Sequence, residues 1–347
     1  MLPDTSHLQD KAYIESLIEL SGKIYKKKYK LGEVDCKWII KPDDKEILSN
    51  FKFLLAKPGG TVDATQSSSS RGAWLNYPWK GDRYYAGLEY KGVGLEGTRI
   101  RYYESKGKRV ALGGTSVLRA ETEYKYNSVA EKLGVFCQKP ICVYNIKHKK
   151  VPDLGVFVRT FSSPIRLWDF YKTGKINQYL RLRYDKSGAD SFEKYILYLA
   201  DCMSHNLSLM LPKGFIHGSL GTLNITSEGE VADFESFGSK EILDGVFGSK
   251  RIGHKLLSIF RAVRRMSFFC IGLQETNKIK VDQHQGEEIF KKYLFKIFGD
   301  LTGQSEETLS QILPKNLYKY YNESENSLGN ILWSYTNHFK PAFETKI

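Results

Sequence analysis

The sequence has few cysteines and no long apolar run. Five cysteines are dispersed along 347 residues without a C-x-x-C pair. Such a set argues against a disulfide framework or a zinc site and is typical of buried thiols in a reducing compartment. The apolar stretches, such as Phe268 to Leu273, fall well short of the ~20 residues of a membrane span. The first residues lack a basic patch followed by an apolar run. We therefore expect a cytoplasmic protein with no membrane partner.

Acidic residues are outnumbered by basic ones. The chain carries 39 Asp and Glu against 52 Lys and Arg, a net charge of +13. Clustered basic residues can bind nucleic acid. The densest run, Lys26 to Lys30, is short, and no nucleic-acid motif accompanies it. The charge therefore favours a solvated basic surface or one that attracts acidic partners. We do not expect a nucleic-acid partner, and we expect a monomer.

The order of sequence patterns predicts three segments. Residues 1–80 are expected to be an N-terminal extension, with helical spacing around Tyr13 to Leu20, a strand-like Trp38 to Ile40, and a Gly/Ser-rich loop from Gly59 to Gly72. Residues 81–165 are rich in short β-branched and aromatic runs. The predicted strands there are Tyr84–Lys91, Arg99–Tyr103, Lys108–Leu112, Ile141–Ile146 and Val156–Phe161.

One helix is predicted among these strands, and long helices follow them. Arg119 to Leu133 has helical spacing and stops at Gly134, a residue suited to the left-handed position after a helix. Residues 166–347 are predicted to be mainly helical. The long helices expected there are Phe192–Leu211, Ile252–Leu273 and Glu287–Phe298.

The segment from His217 to Asp233 resembles a protein-kinase catalytic loop and the metal-binding Asp that follows it. In the kinase pattern H-R-D-x-x-x-x-N, the Asn and a later Asp hold Mg²⁺ on the nucleotide phosphates. Asn224 and Asp233 occupy those positions, whereas Ser219 stands where the catalytic Asp is expected. A hairpin turning at residues 227–230 would present the amide and the carboxylate side by side. The alternative is a surface hairpin with an incidental Asn and Asp.

Lys91 ends a predicted strand, and Glu123 lies in the predicted helix. A kinase-like site needs a strand Lys that reaches the phosphates and is held by a helix Glu. The alternative is that Lys91 is a solvated charge at a strand edge. Backbone amides of nearby glycines could also approach a phosphate, or these glycines could form tight turns only. They are Gly92, Gly94, Gly113 and Gly114.

Two arginines bracket the end of the last predicted strand. Arg159 and Arg166 could grip a terminal phosphate in the bidentate manner that guanidinium groups favour. Two surface arginines are the alternative. The combined pattern predicts an α+β fold of the two-lobed, protein-kinase-like type. Its N-lobe would be β-rich with one main helix, and its C-lobe would be α-rich.

The order and spacing of these motifs resembles the selenoprotein O family over roughly residues 83–237. The family reads K-G-A-G, where this chain has Lys91-Gly-Val-Gly. The sequence spacing from Lys to Glu differs from the family's by one residue, and the spacings from Arg159 to Arg166 and from Asn224 to Asp233 are the same as in the family. The resemblance implies a kinase-like fold that holds ATP in a flipped pose and transfers AMP to Ser, Thr or Tyr hydroxyls of proteins. It also implies that Lys91 pairs with Glu123, that Arg159 and Arg166 hold the γ-phosphate, and that Asn224 and Asp233 bind Mg²⁺, with Mn²⁺ as the alternative ion.

The chain departs from this family where catalysis is concerned. The acidic residue that the family has just before the metal-binding Asn is Leu223 here, and leucine cannot accept a proton. Glu235, two residues after Asp233, is a candidate substitute base or second metal ligand. The resemblance makes adenylyl transfer to a protein or peptide acceptor the leading hypothesis. The alternatives are a kinase-like phosphotransferase, a nucleotide-binding pseudokinase that acts as an interaction module, and a basic nucleic-acid-binding protein with a decayed kinase-like core.

Overall fold

The structure is a computed structural model, and it is α+β in class. It describes residues 3–25, 28–31, 36–42, 62–66, 72–92, 102–105, 108–111, 115–146, 153–185, 188–234, 237–238, 251–275 and 279–346. The chain divides into two compact units. Unit 1 contains Met1–Thr5, Lys132–Phe136 and Ile165–Ile347, and unit 2 contains Ser6–Glu131 and Cys137–Pro164.

Unit 2 is built on a seven-stranded sheet, and all the described pairs of adjacent strands in it are antiparallel. Its strands follow the order β1-β3-β4-β5-β9-β8-β2. A further two-stranded ribbon pairs β6 with β7. The strands are β1 (Lys28–Leu31), β2 (Cys36–Ile40), β3 (Val62–Gln66), β4 (Gly72–Lys80), β5 (Tyr84–Lys91), β6 (Tyr102–Ser105), β7 (Lys108–Ala111), β8 (Lys139–Ile146) and β9 (Leu154–Phe161).

Two helices pack on this sheet. Helix α1 (Lys11–Ile24) begins at Asp10, whose carboxylate accepts the Ala12 N–H, and it contacts β4 and β5. Helix α2 (Val117–Lys132) places Ala120 against Val143 and Phe157. Side chains on the other face of the sheet form a larger apolar cluster that includes Leu88, Tyr90 and Val158. Because β5 and β9 are buried along almost their whole length, polar side chains on them must find partners inside the protein.

Unit 1 is mainly helical. Its central helix, Gln283–Thr302, packs against two other long helices. The helices are α3 (Leu167–Thr173), α4 (Ile176–Tyr184), α5 (Ala189–Met210), α6 (Arg251–Glu275), α7 (Gln283–Thr302), α8 (Glu306–Ile312), α9 (Leu317–Glu323), α10 (Glu325–His338) and α11 (Lys340–Lys346). A short ribbon joins β10 (Ile216–His217) to β11 (Phe237–Gly238).

Most predicted helices and strands are present with small shifts at their ends. The helix predicted from Arg119 to Leu133 spans Val117–Lys132 and is followed by Gly134 with φ +82°. The loop predicted from Gly59 to Gly72 is wrong for residues 62–66, which form β3, because that strand pairs with β1 on one side and β4 on the other. Residues 99–101 of the predicted Arg99–Tyr103 strand, and Leu112, lie outside the described residues.

The described part of residues 1–80 supplies four strands of the sheet and helix α1. These residues, expected to be an extension, lie from Ser6 onward in the same unit as the strands that follow them. The division between Pro164 and Ile165 falls one residue from the expected boundary after residue 165. Within the described ranges, no helix combines the length and apolar character that crossing a membrane requires. The four cysteines whose side chains are described are buried free thiols.

Candidate functional site

Unit 2 contains a buried network of four charged side chains. Lys91 Nζ lies 2.8 Å from Glu123 Oε2, and Arg159 Nη1 lies 2.7 Å from Glu123 Oε1. Arg159 Nε lies 2.9 Å from Glu89 Oε2. All four side chains are at most 6% exposed. Two cations and two carboxylates make the network neutral, which is how a protein tolerates charge at such depth.

The strand register and helix α2 build this network. Glu89 on β5 lies directly opposite Arg159 on β9, so their side chains share one face of the sheet. Lys91 is two residues further along β5 and therefore points to the same face. Glu123 faces the sheet from α2 and divides its two oxygens between the cations. The strand-Lys and helix-Glu contact expected from the sequence thus lies within unit 2.

The contacts of Arg159 were not predicted from the sequence. Two of its nitrogens bond to carboxylates, and its guanidinium lies 5.2 Å from the centre of the Phe161 ring. The Arg159 side chain is only 1% exposed, so a phosphate would not reach its guanidinium in the described arrangement. The role of Arg159 as a γ-phosphate ligand therefore stays a prediction, while its described contacts hold Glu89 and Glu123 in place.

Gly92 follows Lys91 in a left-handed conformation, with φ +101°. A Cβ atom built there would lie 2.6 Å from the Gly155 carbonyl oxygen and 2.7 Å from Thr115 Cγ2. Packing within unit 2 therefore requires glycine at this position, whatever else Gly92 contacts. Gly94, Gly113 and Gly114, which were the other candidate phosphate-binding glycines, lie outside the described residues.

Unit 1 brings Asn224 and Asp233 together on a small hairpin. The Ala232 N–H donates to the Asn224 carbonyl oxygen at 2.8 Å, and Ile225 pairs with Val231. His217 holds the two sides of this arrangement. Its Nε2 lies 2.8 Å from the Ala232 carbonyl oxygen, which can only accept, so Nε2 carries the proton. Its Nδ1 is then the acceptor for the Ser219 N–H at 3.2 Å.

The side chains of Asn224 and Asp233 are oriented by their neighbours. Asn224 Nδ2 donates to the Ser219 carbonyl oxygen at 2.9 Å, which fixes the amide orientation and turns Oδ1 the other way. No hydrogen bond to this Oδ1 occurs within the described residues. Asp233 has φ +64°, one of two described non-glycine residues in the left-handed region. Strain of this kind is concentrated at functional positions.

Arg166 lies against the same hairpin. Its Nη1 donates to the Leu223 carbonyl oxygen at 2.6 Å and lies 3.4 Å from Asp233 Oδ2. The Arg166 backbone pairs with Thr226, and the Asp169 carboxylate accepts the Arg166 N–H at 2.8 Å. The Arg166 backbone is therefore fixed by Thr226 and Asp169, and its guanidinium contacts the Leu223 carbonyl oxygen and Asp233. It supplies positive charge next to the Asp233 carboxylate.

The hairpin turn is buried, so it is not the surface hairpin that was the alternative to a metal site. Glu228 is fully buried and forms an ion pair with Arg183, and Tyr179 Oη lies 3.0 Å from its carboxylate. Tyr195 and Tyr198 donate to the carbonyl oxygens of residues 227 and 228, at 3.0 and 2.8 Å. Helices α4 and α5 carry these side chains. They hold the turn from behind and satisfy its buried polar groups.

The donor set of this hairpin suits magnesium better than most other metals. No group of three or more His, Cys, Asp or Glu side chains capable of holding a metal was found among the described residues. Mg²⁺ needs fewer protein ligands, because it usually takes one or two oxygens from the protein and the rest from phosphates and water. Asn224 Oδ1 and the Asp233 carboxylate are hard oxygen donors on adjoining positions. They fit the sparse protein share of such a site.

A general base was not found at the expected position. Leu223 is 50% exposed, and Ser219 is exposed at the start of the loop. Glu235, the candidate substitute base, lies outside the described residues. Glu228 is the acidic residue nearest to Asn224 in sequence among the described residues, and it is fully buried in its ion pair with Arg183.

Sequence reasoning missed three charged side chains that organise these groups. Glu89 could have been found from strand pairing, because it alternates with Lys91 on a strand whose neighbour carries Arg159. Arg183 and Glu228 gave no local signal, because they are 45 residues apart in the sequence. No protein-family model matches this sequence, and no curated protein shows significant similarity to it.

Proposed function

We propose that this chain has a protein-kinase-like arrangement, binds Mg²⁺ and ATP, and transfers AMP from ATP to a hydroxyl group of a protein or peptide. The observation that carries the proposal is the buried contact between Lys91 and Glu123. A strand lysine held by the carboxylate of a helix is the arrangement with which kinases position nucleotide phosphates. The pair lies at the positions that the sequence motifs indicated.

The proposed roles follow from the contacts of each side chain. Lys91 would contact a phosphate, with Glu123 and Arg159 keeping its ammonium group in place. Asn224 and Asp233 would hold Mg²⁺, which when bound neutralises phosphate charge. Arg166 would supply a guanidinium for a phosphate oxygen, because its present contacts already place it beside Asp233.

In the proposed transfer, an acceptor oxygen forms a bond to the α-phosphorus of ATP. The bond from that phosphorus to the bridging oxygen breaks, and pyrophosphate leaves. The acceptor proton passes to solvent or to a carboxylate outside the described residues, such as Glu235. Positioning and electrostatic stabilisation supply most of the acceleration of such reactions, so a missing base lowers the rate by about 10²–10⁴-fold without abolishing the reaction.

A second candidate function is nucleotide binding without transfer. The observation that favours it is Leu223, a half-exposed apolar side chain directly before Asn224 where a carboxylate is expected. Such a protein would use bound nucleotide to stabilise a surface for a partner. Phosphoryl transfer from the γ-position is the remaining enzymatic alternative.

The position of the transferred label separates these functions. The protein is incubated with Mg²⁺ and ATP labelled at the α- or the γ-phosphate, and acid-stable label on protein is measured. We expect label from the α-position only. Label from the γ-position alone would refute AMP transfer. Absence of transfer, together with a Mg²⁺-dependent rise in melting temperature on addition of ATP, would favour the binding function.

The chain offers a matched control for the metal-binding aspartate. Asp233 and Asp185 are both aspartates with positive φ, +64° and +52°. We expect Asp233→Asn to abolish the Mg²⁺-dependent part of ATP binding and Asp185→Asn to preserve it. Loss of nucleotide binding in both variants would indicate backbone damage and would contradict a metal role for Asp233.

A further inference from the structure

Unit 1 has a second feature beside its metal-binding hairpin, a pocket with a volume of about 70 Å³. Five aromatic side chains, one arginine and Thr222 line it. Thr222 precedes Asn224 by two residues in the same short 3₁₀ turn, Thr222–Asn224. None of the roles proposed above uses this pocket. An occupant would lie beside the loop that carries the candidate metal ligand.

The aromatic walls of the pocket are held in fixed positions. Trp168 and Tyr171 stack with ring centres 5.0 Å apart, and Phe268 and Tyr321 are 5.7 Å apart. Gly272 allows Tyr171 and Tyr321 to approach α6 closely. A Cβ atom there would lie 2.9 Å from Tyr321 Oη and 3.2 Å from Tyr171 Cε2. A preformed cavity of stacked rings favours another aromatic ring, which gains offset or edge contacts beyond simple apolar burial.

Helix α6, which supplies Arg265, Phe268 and Phe269 to the pocket, carries positive charge. Arg261, Arg264 and Arg265 lie on α6, and in the part of the chain that the structure describes none of them forms an ion pair. Arg264 lies over the rings of Phe260 and Phe268, at 6.0 and 5.7 Å. Burial and then the charge of Arg265 lower the pKa of Arg261. Arg261 is half-buried and Arg265 is exposed one turn further along, so this face of α6 attracts an anionic partner.

Arg265 also connects the pocket to the loop. It is exposed and lines the pocket, and its stem packs on Gly221. A Cβ atom at Gly221 would lie only 2.8 Å from Arg265 Cγ. The backbone of the loop and the arginine are therefore in direct contact. A group that binds Arg265 would therefore be held close to the 3₁₀ turn that carries Thr222 and Asn224.

We propose that this pocket binds the acceptor, and that the acceptor is a tyrosine side chain within an acidic peptide segment. The aromatic walls account for the ring, and the arginines account for the acidic flanks. The transfer step rests on the proposed function, because the tyrosine hydroxyl oxygen would form the bond to the α-phosphorus as pyrophosphate leaves. Binding of the segment itself requires neither ATP nor Mg²⁺.

Binding can be measured without nucleotide. A fluorescein-labelled peptide with one tyrosine flanked on each side by three glutamates is titrated with the full chain, and its anisotropy is followed at low and moderate salt. We expect salt-sensitive binding that weakens about tenfold or more in Arg265→Glu. The control is Lys213→Glu, the same charge change at an exposed residue outside the pocket. It should weaken binding less than twofold. Equal loss in both variants would overturn the proposal.

Changes in the peptide test the aromatic part. Replacing its tyrosine with serine should weaken binding about tenfold, and replacing it with phenylalanine should weaken binding little. Equal affinity of the serine and tyrosine peptides would refute an aromatic site. A single-stranded oligothymidine that binds more tightly than the acidic peptide, with the same dependence on Arg265, would identify a nucleic-acid surface and overturn the proposal.

The transfer assay then distinguishes this proposal from the proposed function. If AMP transfer occurs, Arg265→Glu should raise the KM for the tyrosine peptide and leave the ATP-induced melting shift unchanged. If no transfer occurs but the peptide still binds with the expected dependence on Arg265, the pocket is a partner site and the proposed transfer is wrong. If transfer occurs onto peptides that do not require Arg265, the pocket proposal is wrong and the transfer stands.

Discussion

Replacing Glu123 should destabilise unit 2 far more than replacing Lys91. Glu123 accepts two of the three described contacts in the buried network, one from each cation. Glu123→Gln removes both charged contacts and turns an amide N–H₂ group toward a cation. Lys91→Met removes only one of the three described contacts, and both carboxylates keep Arg159 as a partner.

The burial of these groups sets the magnitude. Breaking a buried ion pair by removing one partner costs about 3–5 kcal/mol. For a unit of about 150 residues this corresponds to a fall in Tm of about 6–20 °C. We expect Lys91→Met to cost about 1–3 kcal/mol, the usual penalty for one lost buried partner. The double variant retains the Arg159–Glu89 pair, so its loss should be at least about 1 kcal/mol smaller than the sum of the two.

Differential scanning calorimetry of the four proteins measures these effects. The matched control is Glu15→Gln, which removes an exposed pair with Lys11 on helix α1 of the same unit and should shift Tm by less than about 2 °C. A Lys91→Met variant less stable than Glu123→Gln would refute the reasoning from contacts. Strict additivity in the double variant would show that the two side chains do not interact in the folded protein.

Three further predictions concern the hairpin of unit 1 and the buried thiols of both units. Leu223→Asp places a carboxylate at a half-exposed position next to Asn224 and should raise the rate of the proposed AMP transfer about tenfold or more. Leu223→Asn is the control and should not raise it. Equal rates in the two variants would contradict the need for a base at this position. Gly229→Ala should lower the free energy of unfolding by about 1–3 kcal/mol, because Gly229 has φ +82° and the new Cβ would lie 2.6 Å from Cys202 Sγ. Urea titration measures this loss, and Cys202→Ala should restore only part of it, since the strain of φ remains. Burial raises the pKa of the Cys142, Cys202 and Cys270 thiols, so at pH 8 they stay protonated in the folded protein. Peptide mass spectrometry should find iodoacetamide adducts at these three cysteines only after denaturation, and labelling of any of the three in the native protein would contradict their burial.

Local sequence patterns were sufficient to predict a helix or strand where its own residues determine its structure. The stop of α2 follows from Gly134, because φ +82° is open mainly to glycine. The strand Tyr84–Lys91 follows from its alternation and aromatic content. Strand β3 was missed because its surroundings are rich in Gly and Ser, and what stabilises it is pairing with β1, more than 30 residues away in the sequence.

The candidate site was predictable to the extent that motif spacing defines it. The contact between Lys91 and Glu123 and the hairpin of Asn224 and Asp233 were both expected, since each depends on elements that the sequence marks clearly. The contacts of Arg159 were not, because they depend on the register between β5 and β9. The burial of the turn at Glu228 was also missed. Polar turns are usually exposed, and this one is buried only because remote tyrosines and Arg183 satisfy it.

The anchoring of the hairpin turn has a consequence for the thermodynamics of ligand binding. Ordering a loop around a cation costs conformational entropy for every residue that becomes fixed. Here Tyr195, Tyr198 and the Glu228–Arg183 pair already hold the turn, and His217 holds the strand that leads to Asp233. If Asn224 and Asp233 bind Mg²⁺ as proposed, the hairpin therefore has little conformational entropy left to lose on binding. Affinity at this position should depend mainly on charge and dehydration, and amide exchange of the hairpin should change little between the free and the bound protein.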